Sequence, residues 1–329
     1  MINFRTEFEA HPSPEKIDLN DQILTIGSCF SQVVGAFLSE SKFPVLNNPF
    51  GTVYNPVSTF KLLKLAISNK SSAGEGYLRR GEVHYHFDYH SDISALSKTD
   101  LEKKIKEKAE KVREILKAAN WLIITFGTTV VYTRKSNGEL VANCHKVPHR
   151  EFSRSFLSME QIVEDFKNCY VALKCFNEHL KLIVAVSPVR HTKESLIDNS
   201  YSKAQLRVFC NEITKNFEDV IYFPSFEIMM DDLRDYRFYA ADLIHPNKIA
   251  EEYIFEKFSR TFFDSDSLEV LKDWNSITKS LSHRPKHPET LAHLGFLKST
   301  LDSMHKLKIK LNIKKEIEFV ESQIQKFEG

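Results

Sequence analysis

The stretch QILTIGSCFS, residues 22–31, closes an apolar run on Gly27-Ser28-Cys29-Phe30. Ile23, Leu24, Thr25 and Ile26 are aliphatic or β-branched, and the glycine and serine behind them mark a place where a buried strand stops and the chain turns. A helix is expected to follow over residues 31–41. A strand that runs straight into a helix belongs to a parallel α/β sheet, where ligands gather at the C-terminal ends of the strands. Ser28 stands at that end. Its ordinary role there is to cap the next helix; its other role is a nucleophile held at the sheet edge.

The same alternation continues downstream. Short apolar runs at 121–126, 181–186 and 220–223 read as further strands, and amphipathic stretches at 56–68, 100–119, 158–179, 201–216 and 246–263 read as the helices between them. Two segments depart from the pattern. GEGYLRRGEVHYHFDYHS (74–91) and VVYTRKSNGELVAN (130–143) alternate polar and apolar residues and read as β-hairpins, the second turning at Ser136-Asn137-Gly138. After about residue 264 the strands cease, and two or three Lys-rich helices remain, broken at HRPKHP (283–288). The expected organisation is an α/β domain over 1–263 and a helical appendage over 264–329.

Composition narrows the function. The chain has 329 residues, 42% of them hydrophobic and 27% charged, an ordinary balance for a packed protein. With 45 Lys+Arg against 44 Asp+Glu the formal charge is +1, so no global field favours nucleic acid. The lysines of HKLKIKLNIKKEIEF (305–319) fall at helical spacing among apolar residues, as on the solvated face of a packed helix. The first 19 residues lack a secretory pattern, and no apolar run is long enough to span a bilayer. Five cysteines, 29, 144, 169, 175 and 210, are without C-x-x-C spacing, which fits a reducing cytoplasm. No metal or cofactor is expected. Strand alternation would put His84, His86, Asp88 and His90 on one face, but spread over about 20 Å they could not share one ion.

A serine hydroxyl needs a base to act as a nucleophile. FYAADLIHPN (238–247) supplies one: Asp242 and His245, three apart, allow the carboxylate to accept from Nδ1–H and leave Nε2 free for a serine proton. The ordinary alternative is an Asp and a His decorating a helix start with Pro246 at its first position.

The blocks GSCFS (27–31), NPFGTVYNP (48–56), FGTTVVY (126–132), ANCHKVP (142–148), SPVRH (187–191) and FPSFEIMMDDLRDYRFYAADLIHP (223–246) are colinear over most of residues 1–263. In them the chain resembles the GSCFA-domain family and, more broadly, SGNH or GDSL-like hydrolases. The resemblance implies a three-layer α/β/α, flavodoxin-like fold and a hydrolase or acyltransferase acting on a small acyl ester or acylated carbohydrate. It implies Ser28 as nucleophile, His245 as base and Asp242 as its orienting carboxylate, with the N–H groups of Ser28 and Gly51 in an oxyanion hole. One position departs. Where the related enzymes carry G-x-N, this chain has Gly127-Thr128-Thr129, which puts a threonine in place of the asparagine donor; Asn48, Thr128 and Asn143 are the nearest substitutes. His86, His90, Asn143, His145, Arg190 and His191 are the remaining candidates for a substrate cleft. A chain that kept the cleft without the asparagine donor would instead be a non-catalytic binding protein.

Overall fold

The computed structural model describes residues 5–69, 76–193 and 195–328. Five parallel strands form the central sheet: β1 (Ile23–Gly27), β2 (Val45–Thr52), β5 (Trp121–Phe126), β9 (Lys181–Val186) and β10 (Val220–Phe223), in the order β10-β9-β5-β1-β2. Alternate residues of each strand go to opposite faces. Leu24, Ile26, Leu122, Ile124, Phe126, Leu182 and Val184 face one core, which α2 (Pro56–Ile67), α3 (Lys98–Ala118), α4 (Met159–Phe176) and α5 (Leu196–Asn216) cover. Ile23, Trp121, Ile123, Ile183 and Ala185 face the other, covered by α1 (Cys29–Glu40) and α7 (Lys248–Phe262). These are the three layers the sequence implied. Burial on both sides is why the strands read as unbroken apolar runs.

Residues 45–52 form a strand that the apolar pattern had not marked. Its core, Asn47-Asn48-Pro49, is polar, and its pairing jumps from Thr25↔Asn47 to Gly27↔Thr52. Asn48 fills the gap: its N–H donates to Thr25 Oγ1 at 3.1 Å, and its Oδ1 accepts from Gly27 N at 3.1 Å. The helices begin where caps dictate. α5 starts earlier than residue 201, at Leu196 under Ser195, and α7 starts after Asn247, so Pro246 precedes the helix instead of opening it.

The inserts lie beside the sheet. β3 (Tyr77–Arg80) and β4 (Val83–His86) form the first hairpin; residues 74 and 75 lie outside the described residues. β6 (Val130–Arg134) and β7 (Leu140–Val141) form the second, joined by β8 (Phe152–Phe156) along the other edge of β6. Because β4 ends at His86, the expected one-face row does not extend to Asp88 and His90; Asp88 instead bonds Lys61 Nζ at 2.7 Å. After β10 the chain makes a short turn of helix, α6 (Ser225–Glu227), before the segment that carries Asp242 and His245.

Beyond Asp264, α8 (Ser265–Ser282), α9 (Leu291–Leu307) and α10 (Lys314–Glu328) pack around Trp274, Leu297, Met304, Ile313 and Val320. This bundle is docked on the sheet domain. Trp274 Nε1 donates to Glu40 O at 2.7 Å, Lys42 pairs with Glu316, and Leu19 touches both cores. Among the described residues no helix is long and apolar enough to cross a membrane.

Candidate active site

The strand order reverses between β1 and β5, so their C-terminal ends form the crevice where doubly wound sheets bind ligands. Gly27 ends β1 there with φ +132°, and a Cβ on it would stand 2.2 Å from Thr125 O, so only glycine lets the two strand ends close up. Ser28 follows as N-cap of α1. It has no accessible surface, and its Oγ is buried without a hydrogen-bond partner.

The Ser31 and Ser267 hydroxyls are also buried and unpartnered, but among the Ser, Thr, Asn and Asp caps of the described helices the isolation is unusual. At seven other helix starts, Asn55, Ser97, Ser158, Ser195, Asn247, Asp264 and Thr290, the cap side chain accepts from the backbone N–H three residues on. Ser28 has the extended backbone of a cap and makes no such bond. Its hydroxyl sits at the positive end of a 12-residue helix with no acidic residue in the first turn.

Asp242 and His245 form a pair at the opposite end of the domain's sequence. Asp242 Oδ2 lies 2.7 Å from His245 Nδ1, while Oδ1 accepts from the N–H of Ile244 at 2.9 Å and of His245 at 3.0 Å. The turn needs Leu243 at φ +56°. The bond from His245 N, then that from its ring, hold the Asp242 carboxyl down at about 2. With Asp242 on Nδ1, the neutral ring presents Nε2 as its basic nitrogen. Both side chains are nearly half exposed, and Ser28 Oγ does not bond His245 Nε2 in this arrangement.

Arg190 steadies the pair's loop. Its N–H donates to Ile244 O and its guanidinium to Leu243 O, both at 3.2 Å, and the guanidinium lies over Tyr236 and Tyr239. The sequence suggested Arg190 as an anion-binding group; the structure engages it with the loop that carries His245.

Beside this crevice lies a cleft of about 430 Å³, whose lining includes Tyr54, Asn143, Cys144, His145, His191 and Thr128. Lys146 and Lys193 stand on it, and among the described residues no carboxylate does. Of the six expected cleft residues, Asn143, His145 and His191 line it, whereas His86, His90 and Arg190 do not. His145 is buried, with Nε2 2.9 Å from His86 O and Nδ1 3.2 Å from Ser91 Oγ; this grip holds it at φ +48°. His86 is buried on the hairpin side, and burial pushes its ring down to about 4. His90 sits against Gly51 and pairs with Asp92.

The oxyanion candidates from sequence are mostly spoken for. Ser28 N–H donates to Thr125 O at 2.9 Å, because the parallel ladder runs one residue past β1. Asn48 mends the β1–β2 pairing, as above. Thr128 Oγ1 bonds Ser202 Oγ at 2.9 Å and accepts from Val130 N at 3.1 Å. Thr129 is fully buried, with Oγ1 donating to Gln205 Oε1 at 2.7 Å. Asn143 donates to Ser91 Oγ at 3.4 Å and accepts from His145 N at 2.8 Å. Gly51 lies in the bulged part of β2 with φ +70°, outside the cleft lining.

Two groups near the crevice were not singled out from sequence. Tyr54 lines the cleft with its ring while its hydroxyl approaches Cys29 Sγ at 4.0 Å. Lys203 of α5 is buried and donates to Gly127 O at 2.8 Å and Ser187 O at 2.7 Å, tying together the ends of β5 and β9. Burial lowers its ammonium to about 7, against a raising influence from nearby Cys29. Its sequence signal was a lysine three residues before Leu206 on the buried face of α5.

Fold and site together define a doubly wound α/β protein with an unpartnered serine at its switch point and an Asp–His pair before the last helix of the domain. Residues 22–258, more than half of the chain, match the GSCFA family, and residues 274–326 match the GSCFA domain protein, C-terminal domain. The chain belongs to the GSCFA family. No curated protein matches it.

Proposed function

We propose that the protein is a serine ester hydrolase or O-acyltransferase of the SGNH type, working on a small acyl ester or acylated carbohydrate through Ser28, His245 and Asp242. The observation that carries this reading is the Ser28 hydroxyl: buried at a helix start, yet alone among the caps compared above in bonding to nothing. A buried hydroxyl left unpartnered costs about 1–3 kcal/mol, a penalty retained where the group has another use. The five cysteines are all free, which supports a cytoplasmic setting.

In the proposed cycle the closed crevice first opens, since Ser28 has no accessible surface, and His245 Nε2 comes within reach of Oγ. Ser28 Oγ attacks the ester carbonyl while Nε2 takes its proton. The tetrahedral intermediate collapses, the C–O bond to the alcohol breaks, and the leaving alkoxide receives that proton from His245. Water, or an acceptor hydroxyl, then repeats the sequence on the acyl-enzyme and restores Ser28. Asp242 keeps the imidazole in the productive tautomer throughout.

A second reading is a binding protein that uses the cleft without chemistry; the closed Ser28 and the commitment of Thr129 to Gln205 favour it. A fluorophosphonate probe separates the two. An activated Ser28 forms a covalent adduct that disappears in Ser28→Ala, falls sharply in His245→Ala, and persists at a lower rate in Asp242→Asn, with Cys29→Ala close to wild type. Folded wild-type protein that neither labels at Ser28 nor turns over p-nitrophenyl acetate would leave the binding reading standing.

A further inference from the structure

A hydrolase needs a donor facing the carbonyl oxygen that becomes negative, and the asparagine that related enzymes use is a threonine turned into the core. Among the described residues that line the cleft, one buried side-chain nitrogen, His191 Nε2, has no hydrogen-bond partner. The ring stands edge-on to Tyr54, with centroids 5.1 Å apart, and lines the cleft. A Cβ on Gly127, the residue just after β5, would come 3.0 Å from this nitrogen, so the absence of a side chain there is what admits the imidazole. Arg190, the preceding residue, is bonded to the loop of His245, and His191 N donates to Asn199 Oδ1 at 2.8 Å. The backbone that carries the ring is therefore held by these bonds and the ring packs against Tyr54 and Gly127, while its inner nitrogen has no hydrogen-bond partner.

We propose that His191 Nε2–H is the side-chain oxyanion donor of this site, reaching over Gly127 from the β9–α5 loop in place of the missing asparagine. The inference rests on the hydrolase reading above and adds a residue to it. The donor role needs a ring that keeps one proton and neither gains nor loses another. Burial, then the neighbouring Lys203 and His245, push His191 down to about 3, so the ring is neutral throughout the working range. A neutral imidazole of this kind polarises a carbonyl without becoming an acid itself. Asp242 assigns the opposite duty to His245, whose Nε2 bears the lone pair. The two histidines thus divide the work: one accepts the serine proton, the other donates a hydrogen bond to the oxygen.

The test uses the full-length protein, p-nitrophenyl acetate turnover and the rate of fluorophosphonate labelling at Ser28. His191→Phe keeps a ring against Tyr54 and Gly127 and removes the N–H. It is expected to lower kcat by roughly 10²–10³-fold with KM changed only a few-fold, by the same factor from pH 6 to 9, and with the urea midpoint no lower than wild type. His191→Gln, whose amide can reach the same point, is expected to recover at least about tenfold over Phe, as a real donor should. If the Phe variant does not fold, Gln is compared with His191→Met, of similar size and no donor; equal rates overturn the proposal. Wild-type labelling and turnover in His191→Phe overturn it while the serine hydrolase reading stands. A wild type that is itself inert at Ser28 removes both.

Discussion

Ser28→Ala is expected to make the protein more stable while abolishing labelling. In the native structure Ser28 Oγ is desolvated and unbonded, a state worth about 1–3 kcal/mol against folding. Alanine removes that oxygen and leaves the backbone bond from Ser28 N to Thr125 O untouched. It also gives up the oxygen's dispersion contacts, each about 0.1–0.2 kcal/mol, or about 1 kcal/mol in sum. Taking the middle of the first range, the net is a gain of about 1 kcal/mol. Ser158→Ala is the internal control, because Ser158 caps α4 by accepting from Gln161 N at 3.2 Å; its loss is expected to cost about 1 kcal/mol. The same substitution at two helix starts should therefore move stability in opposite directions, about 2 kcal/mol apart, or roughly thirtyfold in the unfolding constant. Equilibrium urea unfolding followed by circular dichroism, with equal m-values, reads this difference. A loss in Ser28→Ala matching that in Ser158→Ala would refute the reasoning, since it would mean that the Ser28 hydroxyl serves as an ordinary cap.

Two further outcomes follow from packing and charge. Removing residues 264–329 takes Leu268 and Leu271 off the core built on α1 and α7 and uncovers Leu19, so the truncated chain is expected to melt lower and aggregate; a monodisperse fragment with an unchanged midpoint would show the helical bundle to be a separate appendage. For Lys203, whose pKa falls from 10.5 unfolded to about 7 folded, the unfolded state holds the extra proton between those values. Stability should therefore rise with pH across that window, by up to about 1.4 kcal/mol per unit from this group, and be independent of it below pH 7. Urea midpoints from pH 7 to 10 in wild type and Lys203→Met measure it, and an identical slope in the two would contradict the assignment.

How much of this could be read from the sequence depends on whether the determinant is local. β1, β5, β9 and β10 are legible because strands covered on both faces are predominantly apolar and β-branched. β2 is not, since Asn48 replaces ladder bonds with its side chain, and a polar bulge carries no strand signature. The Asp242–His245 pair is legible for the same local reason: three residues of turn bring the carboxylate to the ring. Even Ser28 was placed, by a strand ending on glycine and serine, though only the structure shows that its hydroxyl bonds to nothing.

The proposed oxyanion donors lie on the other side of that divide. A motif assigns Thr129 a position after β5 but not a direction, and the direction is set by α5, from which Gln205 takes the Thr129 hydroxyl and Ser202 takes both Thr128 Oγ1 and Thr129 N. Once α5 claims this turn, the Thr129 hydroxyl is turned into the core, while Thr128 stays on the cleft lining with its hydroxyl bonded to Ser202. The vacancy is bounded by Gly127, whose bare Cα admits a group from another loop, and the group that arrives is His191. Lys203, from the same helix, fixes the carbonyls of Gly127 and Ser187, so the floor under His191 and the loop that leads to it are held by one side chain. On the proposed reading, the inward Thr129 and the orphaned histidine nitrogen are one adjustment: α5 draws Thr129 into the core, and the β9–α5 loop brings His191 over the bare Gly127.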